Sequence, residues 1–251
     1  MQYKRLEPST VYHCIGAKRK QSPLVVAGAC ANLMAPNSMI GLSSNLGGLI
    51  SRDGRADSEI SRKIGRAYAD FRLLGSLWCH AGVSLQEKLQ KFDSLVLSRL
   101  AYGLCTQWLI TSQRRRLDGF VARCLRRLLN IPAAFISRVS NASVHARAGV
   151  PRFSDQLLKQ QLLMFGKVAL APPGSPLRMN CFIDDTLSPQ IGRFVLKVGR
   201  PRQNWTSELL KESISRFGSD TLHKLLEDRS PGAYARWKSE VRNSFLNTDL
   251  Y

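Results

Sequence analysis

Apolar residues recur three and four positions apart along most of the chain, which is the spacing of helices that pack on one side. The clearest stripe begins near Asp57 and comprises Ile60, Ile64, Ala67, Phe71, Leu74 and Trp78. A second helix is predicted to begin at Ser84, because Ser84 and Glu87 match a capping box. Its inward positions are Leu85, Leu89, Phe92, Val96 and Leu100, and it is predicted to extend as far as Trp108. A third helix is predicted from near Ser112 to Leu129.

Shorter stripes predict further helices over residues 141–148, 154–168, 206–217 and 231–245. Successive amphipathic helices with short connections are typical of a helical bundle. The stretch before the first helix is predicted to form a β-hairpin. Gly47 and Gly48 permit close backbone approach there, Leu49 and Ile50 form a short buried strand, and Asp53-Gly54 favours a turn. The predicted fold class is therefore mainly α, a basic helical bundle preceded by a short hairpin.

A proline-rich segment at residues 171–176 is predicted to be a linker. It divides the chain into three predicted parts. Residues 1–45 are irregular, residues 46–171 form the hairpin and the helical bundle, and residues 172–251 form the linker and a smaller helical tail.

Positive charge is concentrated in the first four-fifths of the chain. The sequence has 37 Lys and Arg against 18 Asp and Glu, which gives a net charge of +19. Residues 203–251 contain equal numbers of basic and acidic residues, so the whole excess lies in residues 1–202. This asymmetry indicates a polyanionic partner, with nucleic acid favoured over an anionic membrane surface. A basic surface that is only solvated is the alternative.

The arginines on the polar faces of the predicted helices are the candidate nucleic-acid ligands, since arginine suits bidentate contact with phosphate. They are Arg62, Arg66, Arg114, Arg115, Arg116, Arg123, Arg126 and Arg127, joined by Arg200 and Arg202 in an extended basic segment. For any one of them, a solvated helix face is the competing interpretation. The tryptophans are expected to pack in the core rather than to stack on bases; they are Trp78, Trp108, Trp205 and Trp237.

The sequence contains no constellation that predicts catalysis or metal binding. Phe182-Ile183-Asp184-Asp185 matches the aromatic-x-Asp-Asp pattern of nucleotidyl-transferring enzymes, but no strand-borne aspartate upstream completes a metal pair, so surface loop acids are favoured. Tyr68-Ala69-Asp70-Phe71 has a single aspartate and lies inside a periodic helix, which favours a structural role. Catalytic and metal-binding residues are therefore predicted to be none.

The six cysteines form no C-x-x-C pair and are predicted to be buried free thiols in a reducing compartment. No run of about 18 apolar residues is present, so no membrane span is predicted. We therefore expect an intracellular protein, nuclear or cytoplasmic and not secreted, with no membrane partner.

Several short motifs occur in a familiar order. They are Leu46-Gly47-Gly48-Leu49-Ile50 with Asp53-Gly54, Glu59-Ile60, Arg62-Lys63-Ile64, Leu100-Ala101-Tyr102-Gly103, Arg123-Cys124-Leu125-Arg126-Arg127, and Gly199-Arg200-Pro201-Arg202 with Trp205. Their order resembles the thumb and carboxy-terminal region of LINE-type (non-LTR) retrotransposon reverse transcriptases, over roughly residues 43–245. Asn45 stands where that family usually has tyrosine.

The resemblance implies that Leu46, Gly47, Gly48 and Leu49 form a hairpin like the one that grips the primer beside the palm. It also implies that the helices from 57 to 129 are thumb-like and cradle RNA or an RNA/DNA duplex through its phosphate backbone. The palm aspartates of an RNA-directed DNA polymerase have no counterpart here. The expectation is therefore a truncated, non-catalytic fragment, without a cofactor in this chain although the parent family uses Mg²⁺.

Two other functions stay open at this point. The chain is alternatively a stand-alone basic helical module that binds nucleic acid or protein. A third hypothesis is an active nucleotidyl transferase that uses Asp184 and Asp185.

Overall fold

The computed structural model describes residues 42–45, 48–51, 56–183, 186–190 and 204–246. Contacts group residues 40–251 into one unit. Two short strands open this unit, β1 (Leu42–Asn45) and β2 (Gly48–Ser51). They pair antiparallel with Asn45 opposite Gly48, so the connection between them is two residues long. Only β2 falls within the hairpin predicted for residues 46–54, because β1 lies in the segment that was predicted to be irregular. The predicted turn at Asp53-Gly54 falls outside the described residues.

Helices make up most of the remaining described chain, so the prediction of a mainly α fold is confirmed. The first eight are α1 (Asp57–Leu73), α2 (Gly75–Cys79), α3 (Leu85–Phe92), α4 (Ser98–Ala101), α5 (Thr111–Leu128), α6 (Ala134–Ser137), α7 (Asn141–Ala148) and α8 (Phe153–Ala169). The last four are α9 (Pro176–Met179), α10 (Trp205–Phe217), α11 (Ser219–Glu227) and α12 (Ala233–Leu246). None of these helices is both long and apolar enough to cross a membrane.

The helix predicted to start at Ser84 is capped as expected but is not continuous. Ser84 Oγ accepts the backbone N–H of Glu87, and the Glu87 carboxylate accepts the backbone N–H of Ser84 at 2.9 Å. A π-helical turn, Asp93–Leu97, separates α3 from α4, and α4 ends at Ala101. A 3₁₀ turn, Leu104–Thr106, follows. Val96 and Leu100 of the predicted stripe are buried across the π turn, Leu97 is buried beside them, and Leu95 is exposed.

The larger of two hydrophobic cores is formed by α1 to α5, α7 and the first half of α8. Phe71 and Trp78 stack there with ring centroids 5.2 Å apart, and Trp78 Nε1 donates a hydrogen bond to the Phe71 carbonyl. Ile60, Leu100, Leu117, Val121 and Leu125 are fully buried beside them. These side chains come from the predicted stripes of α1, α3 to α4 and α5, which fixes the polar faces of α1 and α5 outwards.

A second core joins the end of α8 to α10, α11 and α12. Trp237 of α12 is fully buried, and its Nε1 donates a hydrogen bond to the Leu162 carbonyl of α8 at 2.9 Å. Trp205 of α10 donates to the Cys105 carbonyl at 2.9 Å, which ties this part to the segment before α5. The division of the chain into domains at residue 171 stays a prediction. Within the described residues, α8 completes the apolar core that serves the helices beyond that point.

Candidate nucleic-acid interface

Four arginines of α5 point to solvent and form what we call the α5 arginine face: Arg115, Arg116, Arg123 and Arg127. Arg116, Arg123 and Arg127 are seven and four residues apart, so they lie within about 40° of each other around the helix. The buried residues of α5, such as Leu117, Val121 and Leu125, occupy the opposite side. The apolar stripe of α5 therefore determines which arginines are exposed.

This face has no internal counter-charge in the described parts of the chain. The side chains of Arg115, Arg123 and Arg127 make no hydrogen bond or ion pair with any described residue, and the Arg116 guanidinium donates only to Ser61 Oγ, at 3.0 Å. The single acid of α5 is Asp118, and its carboxylate instead accepts the backbone N–H of Ser154 at the start of α8, at 2.8 Å. The four positive charges are therefore available to an external anion.

The contacts between α1 and α5 show how the two helices lie together. Gln113 Nε2 donates to Asp57 Oδ1 at 3.0 Å, and Arg116 donates to Ser61. The two pairs have nearly the same separation in the sequence, 56 and 55 residues, so contacts advance along both helices together. The beginnings of α1 and α5 therefore run parallel. Ser61 lies on the polar side of α1, and the exposed Tyr68 follows it by seven residues on the same side. The α5 arginine face therefore extends towards the polar side of α1.

Arg126 was predicted to contact nucleic acid but is buried, with only 6% of its surface exposed. Its guanidinium donates to the Val139 carbonyl at 2.6 Å, to Asn141 Oδ1 at 3.0 Å and to Ser137 Oγ at 3.4 Å. These bonds hold the loop between α5 and α7 against α5. The position of Arg126 on the helix predicts exposure, but the returning loop covers it, so Arg126 is excluded from the α5 arginine face.

Arg114 is also engaged by the fold. Its guanidinium carbon lies 4.3 Å from the ring centroid of Trp108, and its Nε donates to the Leu109 carbonyl at 3.0 Å. Burial lowers the pKa of the Arg114 guanidinium, while nearby Glu212, Asp155 and Asp118 favour its charged form. Arg114 therefore stabilises the start of α5 and is not part of the exposed set.

The two predicted arginines of α1 differ from each other. Arg62 forms an ion pair with the buried Glu59 at 2.7 Å, and Lys63 shares the same carboxylate at 3.4 Å. Burial is the main cause that lowers the pKa of Lys63, and Glu59 opposes that effect. Arg66 is exposed and makes no hydrogen bond or ion pair with a described residue. Of the two, Arg66 is the one with its charge open to a ligand.

Several predicted residues lie outside the described part of the chain. Arg200 and Arg202 do, as do Leu46 and Gly47 of the predicted primer-grip hairpin, while Gly48 and Leu49 begin β2. Asp184 and Asp185 are also outside it, whereas Phe182 before them is buried. The predictions made for these residues stay predictions. Asp70, the single aspartate of the other stretch that was compared with nucleotidyl-transferring enzymes, forms an ion pair with Arg99 at 2.7 Å.

The tryptophans pack as expected, whereas Cys124 is the only buried thiol among the four cysteines in the described ranges. Trp78 and Trp237 are buried, and Trp108 and Trp205 are half-buried with packed rings. Cys124 is buried, and this burial raises the pKa of its thiol to about 12. Cys79, predicted to be buried, is an exposed free thiol because it lies at the outer end of the short helix α2. In the described ranges, no group of three or more His, Cys, Asp or Glu is placed to hold a metal ion.

Arg99 was not among the predicted site residues, and Tyr102 was named only as part of the Leu100 to Gly103 motif. Both line a groove with Arg66 and Asp70 between α1 and α4. Arg99 lies 29 residues beyond Asp70 and Tyr102 lies 39 residues beyond Lys63, so helical spacing alone could not bring them together. One signal in the sequence was Tyr102-Gly103, an aromatic residue beside a turn glycine. Gly103 has φ of +72°, which ends α4 and leaves Tyr102 at the groove edge.

No protein-family model matches the chain, and neither a curated protein nor a solved structure is significantly similar to it.

Proposed function

We propose that the chain is a basic helical module that binds RNA or an RNA/DNA duplex through the phosphate backbone, as the thumb of a LINE-type reverse transcriptase does, without catalysing synthesis. The observation that carries this proposal is the α5 arginine face. It places four exposed arginines together, with no acidic partner among the described residues.

The dimensions of the face suit a nucleic-acid strand. Arg116 and Arg127 are eleven residues apart, which is about 16 Å along a helix axis. Over that distance one strand of a duplex presents roughly five phosphates. Three arginines on one stripe can therefore neutralise neighbouring phosphates of a single strand. Arg115 lies to one side of the stripe, where it can contact the same strand or the strand across the groove.

Such contacts would position a duplex without reading its sequence. Guanidinium groups donate two parallel hydrogen bonds to phosphate oxygens, and these contacts respond to backbone shape. A-form duplexes are recognised largely in this way. The first core supports this role, because Leu117, Val121 and Leu125 hold α5 rigidly and so fix the spacing of the arginines.

The resemblance is a second support for the same assignment. Its Arg123 to Arg127 motif lies on α5 and its Leu100 to Gly103 motif ends α4, so two of the motifs fall on helices that pack in one core. In the proposed role these helices hold the duplex, and Mg²⁺ chemistry belongs to the palm of the parent family.

Neutralising the face tests the proposal. The triple variant Arg115→Gln, Arg123→Gln, Arg127→Gln should bind a short labelled RNA/DNA duplex about a hundredfold more weakly at 0.1 M salt, because about three phosphate contacts are lost. Fluorescence anisotropy measures the affinity. A matched control is Lys224→Gln, Lys238→Gln, Arg242→Gln, which removes the same charge from exposed sites on α11 and α12. Equal losses for both variants would mean that only net charge matters and would contradict the proposal.

A protein-interaction role is the second candidate, and one observation favours it. Phe135 and Ile136 of α6 are 82% and 64% exposed, side by side on the loop that Arg126 holds in place. Duplex affinity that does not change with salt, or no duplex binding at all, would favour this role over the first.

A further inference from the structure

A groove of about 740 Å³ lies between α1 and α4, within the range of volumes that hold small ligands. Lys63, Arg66 and Asp70 line it from α1, and Arg99 and Tyr102 line it from α4 and the residue after it. The lining therefore combines three cationic groups, one carboxylate and one aromatic ring. Such a set can contact the phosphate, the sugar and the flat base of a nucleotide at the same time.

Tyr102 offers the flat surface. The backbone that carries its ring is held in place by Lys63, because Lys63 Nζ donates a hydrogen bond to the Tyr102 carbonyl. The side chain nevertheless remains 65% exposed. Lys63 Nζ lies 5.4 Å from the ring centroid and makes the ring part of a cationic surface. Aromatic side chains beside cations are the usual platforms for unpaired bases, since every base has a π-face that can stack.

Arg66 and Arg99 offer the positive charge for a phosphate. Arg66 is exposed and makes no ion pair in the described ranges, so its charge is not compensated by the fold. Arg99 is paired with Asp70 Oδ1 through one guanidinium nitrogen at 2.7 Å, and 61% of its side chain is exposed. Lys63 is less available, because it already shares Glu59 with Arg62. A phosphate would therefore be held by Arg66 and by the open edge of Arg99.

Asp70 gives the groove an acceptor. Its Oδ1 takes the bond from Arg99, while its Oδ2 is buried and accepts no hydrogen bond from any described residue. Buried carboxylate oxygens normally have a donor. Oδ2 itself has almost no accessible surface, so a ribose hydroxyl or a base N–H reaches it only when the Asp70–Arg99 pair opens.

We propose that this groove binds one nucleoside monophosphate unit, with its base on Tyr102 and its phosphate on Arg66 and Arg99. If the chain binds a duplex, as the proposed function states, this nucleoside monophosphate is an unpaired nucleotide at the end of that duplex. This assignment of the ligand rests on the proposed function. A free nucleotide has the same chemistry. The groove and the α5 arginine face are separate surfaces, so the two proposals can fail independently.

The first experiment uses AMP alone and therefore does not depend on duplex binding. Calorimetry should show that AMP binds wild-type protein at least tenfold more tightly than adenosine or ribose 5-phosphate, since each lacks one of the two contacts. Tyr102→Ala should lose about tenfold in AMP affinity and Tyr102→Phe should keep it. The control Tyr234→Ala removes an equally simple ring, 40% exposed on α12, and should change nothing.

A second pair of variants tests the phosphate contact. Arg66→Gln should weaken AMP about fivefold and leave adenosine unchanged, whereas Arg72→Gln, also exposed on α1 but outside the groove, should leave both unchanged. Unaltered AMP affinity in both Tyr102→Ala and Arg66→Gln, or no AMP binding at millimolar concentration, would overturn the proposal. Circular dichroism confirms that each variant is folded.

A duplex arm then distinguishes the two sources of the nucleotide. A duplex with one unpaired 3′ nucleotide should bind more tightly than the blunt duplex, and Tyr102→Ala should remove that difference without changing blunt-duplex affinity. AMP binding without any gain from the overhang would assign the groove to free nucleotides. If wild-type protein binds AMP but does not bind the blunt duplex, the result would count against the α5 arginine face and not against the groove.

Discussion

The α5 arginine face and the helices α10 to α12 both carry several basic side chains, but they balance that charge differently. Around α10 to α12, several bases stand beside acids: Lys211 pairs with Glu208 at 3.2 Å and Arg216 with Glu212 at 2.7 Å. Arg236 pairs with Asp228 in the same region. On α5 the exposed arginines have no acidic partner in the described parts of the chain.

The difference shows where binding of an external anion would release the most electrostatic free energy. Exposed ion pairs contribute at most about 1 kcal/mol each, so the paired helices gain little stability from them and depend on their core. Unpaired arginines on one helix face repel one another weakly and gain when a polyanion binds. The neutral carboxy-terminal region therefore serves mainly as support, whereas the α5 arginine face is suited to binding.

The largest expected effect concerns the core that holds α10 to α12. Gly166 of α8 lies against Trp237, and a Cβ at residue 166 would come within 2.0 Å of Trp237 Nε1. Gly166→Ala should therefore lower the free energy of unfolding by about 3 kcal/mol, as overpacking does. Urea denaturation measures it. Gly119→Ala on α5 is the matched control, because no atom lies within 4 Å of its Cβ position, and it should raise stability by up to about 1 kcal/mol. Similar effects at both glycines would show that the second core is not packed as described.

The next largest effect separates a buried arginine of α5 from an exposed one. Arg126→Gln removes charged hydrogen bonds to Val139 and Asn141 and should cost about 2 kcal/mol of stability. Arg123→Gln, three residues earlier and exposed, should change stability by less than about 0.5 kcal/mol. In duplex binding the order should reverse, with Arg123→Gln the more harmful of the two in variants that remain folded. The opposite pattern would place Arg126 at the interface and contradict its exclusion from the α5 arginine face.

The smallest effect is a pH dependence of the paired region. Hydrogen bonds from Ser230 and then Arg236 lower the pKa of Asp228 from 3.8 to about 2. A carboxyl whose pKa is lower in the folded state stabilises the protein when ionised, so this contribution is present above about pH 4 and is lost as the pH falls towards 2. The Tm difference between wild type and Asp228→Asn should therefore shrink between those pH values. A difference that stays constant over that range would show that the Asp228 carboxylate does not hold the turn before α12.

Much of the fold could be predicted because the main helices are amphipathic. The stripes of α1, α5 and α8 name the residues that are buried, such as Phe71, Leu125 and Phe165. The capping box at Ser84 could be predicted because it depends on four consecutive residues. The π turn at residues 93–97 could not, since it conserves the apolar stripe while changing the register. The helix α11 went unpredicted because its pattern is short and begins directly after Gly218.

The candidate site was predictable only in part, because exposure depends on what packs over a helix face. Arg123 and Arg126 have the same chemistry and lie on neighbouring positions of the polar side of α5. Only the loop that returns through Val139 separates them, and helical spacing contains no information about that loop. The groove of Arg66, Arg99 and Tyr102 was missed for the same reason, since it joins two helices that are distant in the sequence.

The most direct test of the central claim is the salt dependence of duplex affinity. The logarithm of the association constant should fall linearly with the logarithm of salt concentration, and each phosphate contact adds about 0.9 to the slope. The triple variant at Arg115, Arg123 and Arg127 should have a slope shallower by about 2.7, whereas the control at Lys224, Lys238 and Arg242 should keep the wild-type slope. Parallel lines for all three proteins would contradict the assignment of the α5 arginine face as the nucleic-acid interface.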